Sequence, residues 1–432
     1  MAIPEHLGNN VEQNIPDVEN PPSPVDAAYL KHEIDTTAAL SERDDSQADK
    51  RVEQLESELG ISDTKEQTEE QKHVEYAERV LRILNRFDDL MYQRYGNEPF
   101  HNPDHIRGFR DDGLDILQRI KEVASELVTE EDELVIPTVA GGHDLVVDYL
   151  LNNDPTSFFY GQRMRIRGWE VGDVPPNLKE AVDEEQGGNE RKSADETIKI
   201  LEELDPNGEI YTESARKKVR EGIAATYPEA GMAPIAEEHL TIHVSENAEI
   251  DLRPYLMKDK EGNYLGLKFN QKYLTPESSI STLASGFADL SYAGKVSGEE
   301  FKQLGNAEYR ELRELIGSEI KKGIDTISPE RKAKIASDMI GWIDTQTGFA
   351  LHQKIRFNSV INSNNAINAH PKAEMIKNAL VGKYRRFDSN IVYAKDRIIA
   401  AKEKYASLKD PAAYPGSDEL LKELVRDMGY EI

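Results

Sequence analysis

Hydrophobic positions along this chain recur mostly at intervals of three and four, which places them on one face of an α-helix. Val80, Leu81, Leu84, Phe87, Leu90 and Met91 form such a stripe and predict a helix over roughly residues 72–95, broken by Gly96-Asn97-Glu98-Pro99. Asn102-Pro103-Asp104 reads as a turn into a second helix, with Asp104 as its N-cap and Phe109, Ile116, Leu117, Ile120 and Val123 buried. A third helix is expected from about Ile136 to Leu151, carrying His143-Asp144 in its middle. Its apolar residues lie on nearly every side, which puts it at the centre of a bundle. Two further helices are expected from Asn189 to Leu204 and from Thr212 to Thr226. The texture then changes. Leu252-Arg253-Pro254-Tyr255-Leu256 and Tyr264-Leu265-Gly266-Leu267-Lys268-Phe269 flank a Glu261-Gly262-Asn263 turn, which predicts a β-hairpin inserted at about 228–278. Helical periodicity returns near Ser279 and persists over about 299–322, 328–360, 371–408 and 417–428. The fold class is mainly α.

The first 70 residues show no such pattern. They are rich in Pro, Glu, Asp, Asn and Ser around Pro21-Pro22-Ser23-Pro24, with too little apolar surface to offset the entropy of ordering. The expected organisation is a disordered acidic tail over 1–70, a helical domain over 71–330 that holds the hairpin insertion, and a helical C-terminal extension over 331–432.

Charge narrows the function classes. The chain has 432 residues and a formal charge of −28, from 81 acidic against 53 basic side chains. Such a surface repels nucleic-acid phosphates and anionic membrane, so neither is expected as a partner. A small phosphorylated substrate is compatible, because a bound cation and a few arginines reverse the field locally. There is no cysteine, which removes disulfides, thiolate metal sites and a cysteine nucleophile. No apolar run is long enough to span a bilayer. Met1-Ala2-Ile3-Pro4-Glu5 lacks the features of a signal peptide, and a cytoplasmic location is expected. The oligomeric state is left open.

The candidate chemistry lies between Phe100 and Asp148. His101, His105 and His143 fall here, and Asp144 directly follows the last of them. Imidazole and carboxylate together suit a catalytic divalent cation that keeps an open position for water. Asp289 continues the series. On the expected third helix Asp148 follows Asp144 by one turn, so both carboxylates would face the same way. Asp148 would then orient water or accept its proton. Arg163, Arg165 and Arg167 alternate; in an extended segment they share one face, as a phosphate-binding patch or as a solvated edge strand. Lys192 is a further basic candidate. His239 and His243 stand four apart in a strand-like setting without acids at ligand spacing, which argues against a second metal there.

The order His105, His143-Asp144, Asp289, with its flanks, resembles the signature of the HD-domain phosphohydrolases, a helical superfamily that binds a divalent metal through those four side chains. Tyr95-Gly96-Asn97-Glu98-Pro99-Phe100-His101-Asn102-Pro103-Asp104-His105-Ile106 is similar to the Tyr-His-Asn-x-x-His opening of the bacterial predicted metal-dependent HD phosphohydrolases. That subgroup also has an acid at the position of Asp148. Its Asn-Glu-x-x-Ser-Ala helix start is matched by Asn189-Glu190-Arg191-Lys192-Ser193-Ala194, and its closing Asp-Leu-x-x-Leu-Gly by Asp289-Leu290-Ser291-Tyr292-Ala293-Gly294. The resemblance covers roughly residues 75–320. Gly142 stands where an aromatic is usual, and Phe287 where an acid is usual.

The resemblance implies an HD-domain helical bundle with His105, His143, Asp144 and Asp289 as metal ligands. Glu190, at the start of the next helix, would share the water role of Asp148 or hold Asp148's neighbourhood in place, and the resemblance assigns His101 to protonating the leaving oxygen. Arg163, Arg165 and Lys192 are candidates for the substrate phosphate. One divalent ion is implied (Mn, Fe, Ni, Zn, Co or Mg), since no histidine between Asp144 and Glu238 supplies the extra ligands of two-metal members. The implied reaction is hydrolysis of a phosphate ester in a small substrate such as a nucleotide, by a metal-activated water. His143-Asp144-x-x-x-Asp148 also resembles the alarmone-hydrolase motif, which adds pyrophosphorylated nucleotides. The competing class is a non-catalytic HD-fold binding or regulatory module that docks a protein partner or nucleotide.

Overall fold

A computed structural model of the chain describes residues 69–147, 149–151, 163–165, 188–245, 248–414 and 416–432. The expected tail lies almost entirely outside them, as do Asp148 and Arg167. The chain divides into Met1–Arg82 and Ile83–Ile432. The described part of the first unit is helical and carries a small apolar pair, Ala77 and Leu81. The candidate site belongs wholly to the second.

Three helices set up that site. α1 spans Glu69–Tyr95, and Ile83, Phe87, Leu90 and Met91 are buried along it. α2 spans Pro103–Val123 and is capped by Asn102, whose Oδ1 accepts the backbone N–H groups of Asp104 at 2.9 Å and His105 at 3.2 Å. Asp104 therefore sits in the first turn and is not the cap. Proline at the first helical position fits this arrangement, because no N–H is needed there. α3 opens at Glu130 on a capping box between Thr129 and Asp132 and ends at Gly142. It starts and stops earlier than its hydrophobic run suggests: His143 is its C-cap, and Asp144 lies in the turn beyond.

α4 (Gly188–Leu204) and α5 (Glu213–Ala225, capped by Thr212) follow, with the short β1 (Tyr149–Leu151) and β2 (Arg163–Arg165) paired antiparallel before them. The central segment is a little richer in strand than one hairpin. β3 (Glu229–Pro234), β6 (Met257–Lys258) and β7 (Tyr264–Asn270) make an antiparallel sheet in the order β3-β7-β6, and β4 (Thr241–Ser245) pairs separately with β5 (Ala248–Asp251). The turn between β6 and β7 passes through Gly262 at φ +90, a conformation that costs glycine little.

The remainder is helical: α6 (Ile280–Leu290), α7 (Tyr292–Lys295), α8 (Gly298–Leu312), α9 (Glu314–Lys321), α10 (Pro329–Ser363), α11 (Asn365–Asn368), α12 (Ala373–Lys383), α13 (Phe387–Tyr405) and α14 (Asp418–Asp427). One core joins Ile116 and Leu117 of α2, Leu283 and Phe287 of α6, Phe349 and Phe357 of α10, Leu380 of α12 and Ile391 of α13. It crosses position 330, so the late helices are built into the same interior as the early ones. α10 lies directly on β7, where Gly348 meets the backbone of Gly266 with no room for a side chain. The protein is mainly α-helical, and no helix among the described residues is long and apolar enough to cross a membrane.

Candidate metal centre

The site is made where α3 stops. Gly141 packs against the Phe87 ring and Gly142 against Thr197 of α4, at distances that leave no space for a Cβ. Thr197 Oγ1 donates to the carbonyl of Gly142 at 3.3 Å. The chain beyond is pinned from two sides. Arg94 donates to the Leu145 carbonyl at 2.6 Å, while the Tyr95 hydroxyl donates to that carbonyl at 3.2 Å and accepts the Val147 N–H at 2.9 Å. From α4, Ser193 Oγ accepts the Val146 N–H at 2.9 Å. His143 and Asp144 thus sit on a clamped turn, not on a regular helix.

Thr197 occupies the room that a side chain at position 142 would need. Gly142→Ala is expected to destabilise the fold by about 1–3 kcal/mol, as overpacking does, and to weaken divalent-metal binding by displacing His143. Thermal melts and metal titration of the variant check both.

Four side chains bring their ligand atoms together. His105 Nε2 lies 3.3 Å from His143 Nε2. Asp289 Oδ1 is 3.6 Å from the first of these and 3.7 Å from the second. Asp144 Oδ2 is 2.9 Å from His143 Nε2 and 3.7 Å from His105 Nε2. Ligands held at about 2.0–2.2 Å from one first-row ion stand roughly 3–3.6 Å apart across adjacent positions, by tetrahedral or octahedral geometry. The cluster has that size. Among the described residues, His105, His143 and Asp289 are the group whose ligand atoms all lie within 4.8 Å of one another. Asp144 adjoins both imidazoles.

The rings are oriented for this. His143 Nδ1 is 2.9 Å from the Ala140 carbonyl, which can only accept, so Nδ1 carries a proton and Nε2 is the nitrogen turned into the cluster. Phe109 lies against the His143 ring at 4.7 Å and Phe100 against His105 at 4.9 Å. Burial alone would lower the pKa of His143, but the carboxylates of Asp144 and Asp289 and the Ala140 carbonyl outweigh it and raise it to about 9. The cluster wants a positive charge.

His101 stands beside it. Its Nε2 is 3.6 Å from Asp144 Oδ2, and its Nδ1 is 2.5 Å from Glu311 Oε1. The other Glu311 oxygen accepts the backbone N–H groups of Phe100 at 3.1 Å and His101 at 3.0 Å. One buried carboxylate on α8 therefore fixes both the loop before α2 and the imidazole on it. Glu311 was not among the sequence candidates. The available signal was an acid on the buried side of an amphipathic helix, one turn after Ala307.

The remaining candidates divide. Glu190 is buried in the first turn of α4, ahead of the Ser193 that holds Val146. Lys192 is half-buried on the same turn. Asp148 lies outside the described residues, and the helix that was to align it with Asp144 has ended before it. Of Arg163 and Arg165 only the backbone is described; it forms β2, which runs beside α8. Phe287 is a core residue, packed on Phe357 at 4.8 Å. His243 is exposed and pairs with Glu249 at 3.1 Å, while His239 ends a separate 3-10 turn. No family model, curated protein or solved structure gives a significant match to this chain.

Proposed function

We propose that the protein is a metal-dependent phosphohydrolase of the HD type acting on a small phosphorylated substrate, with a nucleotide as the leading class. The reading is carried by one observation: two imidazole nitrogens and two carboxylate oxygens, from three separate segments, stand 2.9–3.7 Å apart over five pairs. His105, His143, Asp144 and Asp289 would hold a single divalent ion, and this donor set suits Mn, Fe, Ni, Zn, Co or Mg. When bound, such an ion polarises a phosphoryl oxygen and lowers the pKa of a water toward about 7.

The chain's own residues account for the proton steps. Glu190, and Asp148 by its place four residues after Asp144, are the bases available to the attacking water. His101 is the acid for the leaving oxygen: Glu311 holds its Nδ1, and its Nε2 faces Asp144. Arg163, Arg165 and Lys192 remain candidates for the substrate's phosphate.

The protonation of His143 gives a prediction. Its pKa is raised from 6.5 to about 9 in the metal-free fold, so Nε2 must lose a proton to ligate. Metal affinity should therefore rise about tenfold per pH unit toward that value, with about one proton released per ion. In the metal-free protein the same shift contributes stability that is complete below pH 6.5 and lost as pH rises through about 9. Excess metal should abolish that loss. Melting curves between those pH values, with and without metal, read it directly.

The experiment that tests the function is elemental analysis of the purified protein together with a panel of nucleotides, sugar phosphates and cyclic dinucleotides. Stoichiometric metal and release of phosphate or nucleotide are expected. Metal-loaded protein that binds members of the panel and hydrolyses none would instead be a regulatory module.

A further inference from the structure

The four proposed ligands and the His101–Glu311 pair use nothing after α8, yet α10 sends a charged side chain to the edge of the cluster. Arg356 is 9% exposed. Its Nη2 donates to Ser291 Oγ at 2.7 Å and to Gln353 Oε1 at 3.3 Å. Ser291 caps the C-terminus of α6 two residues after Asp289, so the guanidinium lies beside the end of the helix that presents this carboxylate. The other two nitrogens, Nε and Nη1, are buried without a hydrogen-bond partner among the described residues. So are Gln353 Nε2, one helical turn before, and the hydroxyl of Tyr384 on the Phe357 side. Burial lowers the guanidinium pKa to about 10 against the pull of Asp289 and Tyr384, which leaves it charged at neutral pH.

A buried cation with unsatisfied N–H groups is costly, and a fold that needed only packing here would do better with an apolar side chain. The unpaired atoms share one property: each can donate. That favours a ligand composed of acceptors and bearing negative charge. A tetrahedral oxyanion meets both conditions and matches the fork of an arginine. Water meets neither fully, since it brings no charge and its own hydrogens would need acceptors.

We propose that Arg356, with Gln353 and Tyr384, is the pocket for the substrate's phosphoryl oxygens next to Asp289. The identity of the ligand rests on the hydrolase reading above; the demand for an anion does not. The proposal gives the late helices a role in recognition, because they contribute the charge that holds the phosphate while the early helices hold the metal.

The test is calorimetric titration of inorganic phosphate into metal-free and metal-loaded protein, for wild type, Arg356→Gln, Arg356→Lys and Tyr384→Phe, with melting temperature and metal content recorded for each. Wild type should bind phosphate in both forms, more tightly with metal. Arg356→Gln should weaken binding at least about tenfold, the range expected for losing hydrogen bonds to a charged group. It should keep its metal and melt no lower than wild type. Arg356→Lys should fall between the two, retaining charge without the fork. Tyr384→Phe removes only a buried, unpaired hydroxyl and should fold normally, so it decides the matter should Arg356→Gln fail to fold. Phosphate affinity unchanged in the folded variants, or no phosphate binding by wild type in either form, would overturn the proposal. So would a lower melting temperature for Arg356→Gln with phosphate affinity intact, which would mark a packing role. Absence of metal from every variant would count against the metal centre alone, because the metal-free titration still judges Arg356.

Discussion

His143→Ala is expected to empty the proposed metal centre and abolish the proposed phosphate-ester hydrolysis while leaving the protein folded. The Nε2 of His143 is the hub of the cluster, within 3.7 Å of ligand atoms from His105, Asp144 and Asp289. Removing it leaves two carboxylates and one imidazole, one nitrogen donor short of the proposed set. Losing a residue that merely orients a ligand costs about 10–100-fold in affinity, so losing the ligand itself should cost more. Elemental analysis and chelator competition give the affinity, and turnover on the best substrate gives the activity. Asp144→Ala should behave in the same way. Variants at both positions that keep full metal content and full activity would remove the enzyme reading.

The second large effect is expected at Glu311. Its carboxylate accepts from the buried His101 N–H and ring and from the half-buried Phe100 N–H. Glu311→Ala orphans these donors together, and breaking such a buried pair costs about 3–5 kcal/mol. Glu311→Gln keeps an acceptor and should cost less, about 1.5–3 kcal/mol for the lost charged hydrogen bonds. Denaturant midpoints separate the two. The functional signature differs from that of a ligand: metal content should persist, turnover should drop, and the limb of the pH–rate profile set by the general acid should move. Loss of metal from Glu311→Gln with an unmoved pH profile would place Glu311 outside the proton-transfer steps.

Part of the candidate site is legible in the sequence, for specific reasons. The His143-Asp144 pair alone is unspecific; the order His105, His143-Asp144, Asp289 with its flanks is what resembles a metal-binding signature. His105, His143 and Asp289 do come together, with Asp144 beside both imidazoles. Glu311 was hidden among 81 acidic residues, with nothing local to single it out. Arg356 was hidden for the same reason: its significance lies in which of its nitrogens lack partners, and that is a property of the packed interior. The end of α3 was misplaced because apolar residues continue past Gly142, and hydrophobic run length cannot distinguish a helix from the buried turn that follows it.

The sequence by itself determined the helical class, the main amphipathic faces and the types of side chain available for chemistry, because helical period, capping residues and ligand chemistry are local properties. Tertiary structure decided everything that depends on distant partners. Thr197 and Phe87 close on the glycines that end α3, Tyr95 and Ser193 fix the turn after it, and Glu311 reaches back across the chain to His101. The physical reason is common to all of these. A buried polar or close-packed group is satisfied by whatever atoms the fold brings within about 3 Å, and sequence separation places almost no limit on where those atoms come from.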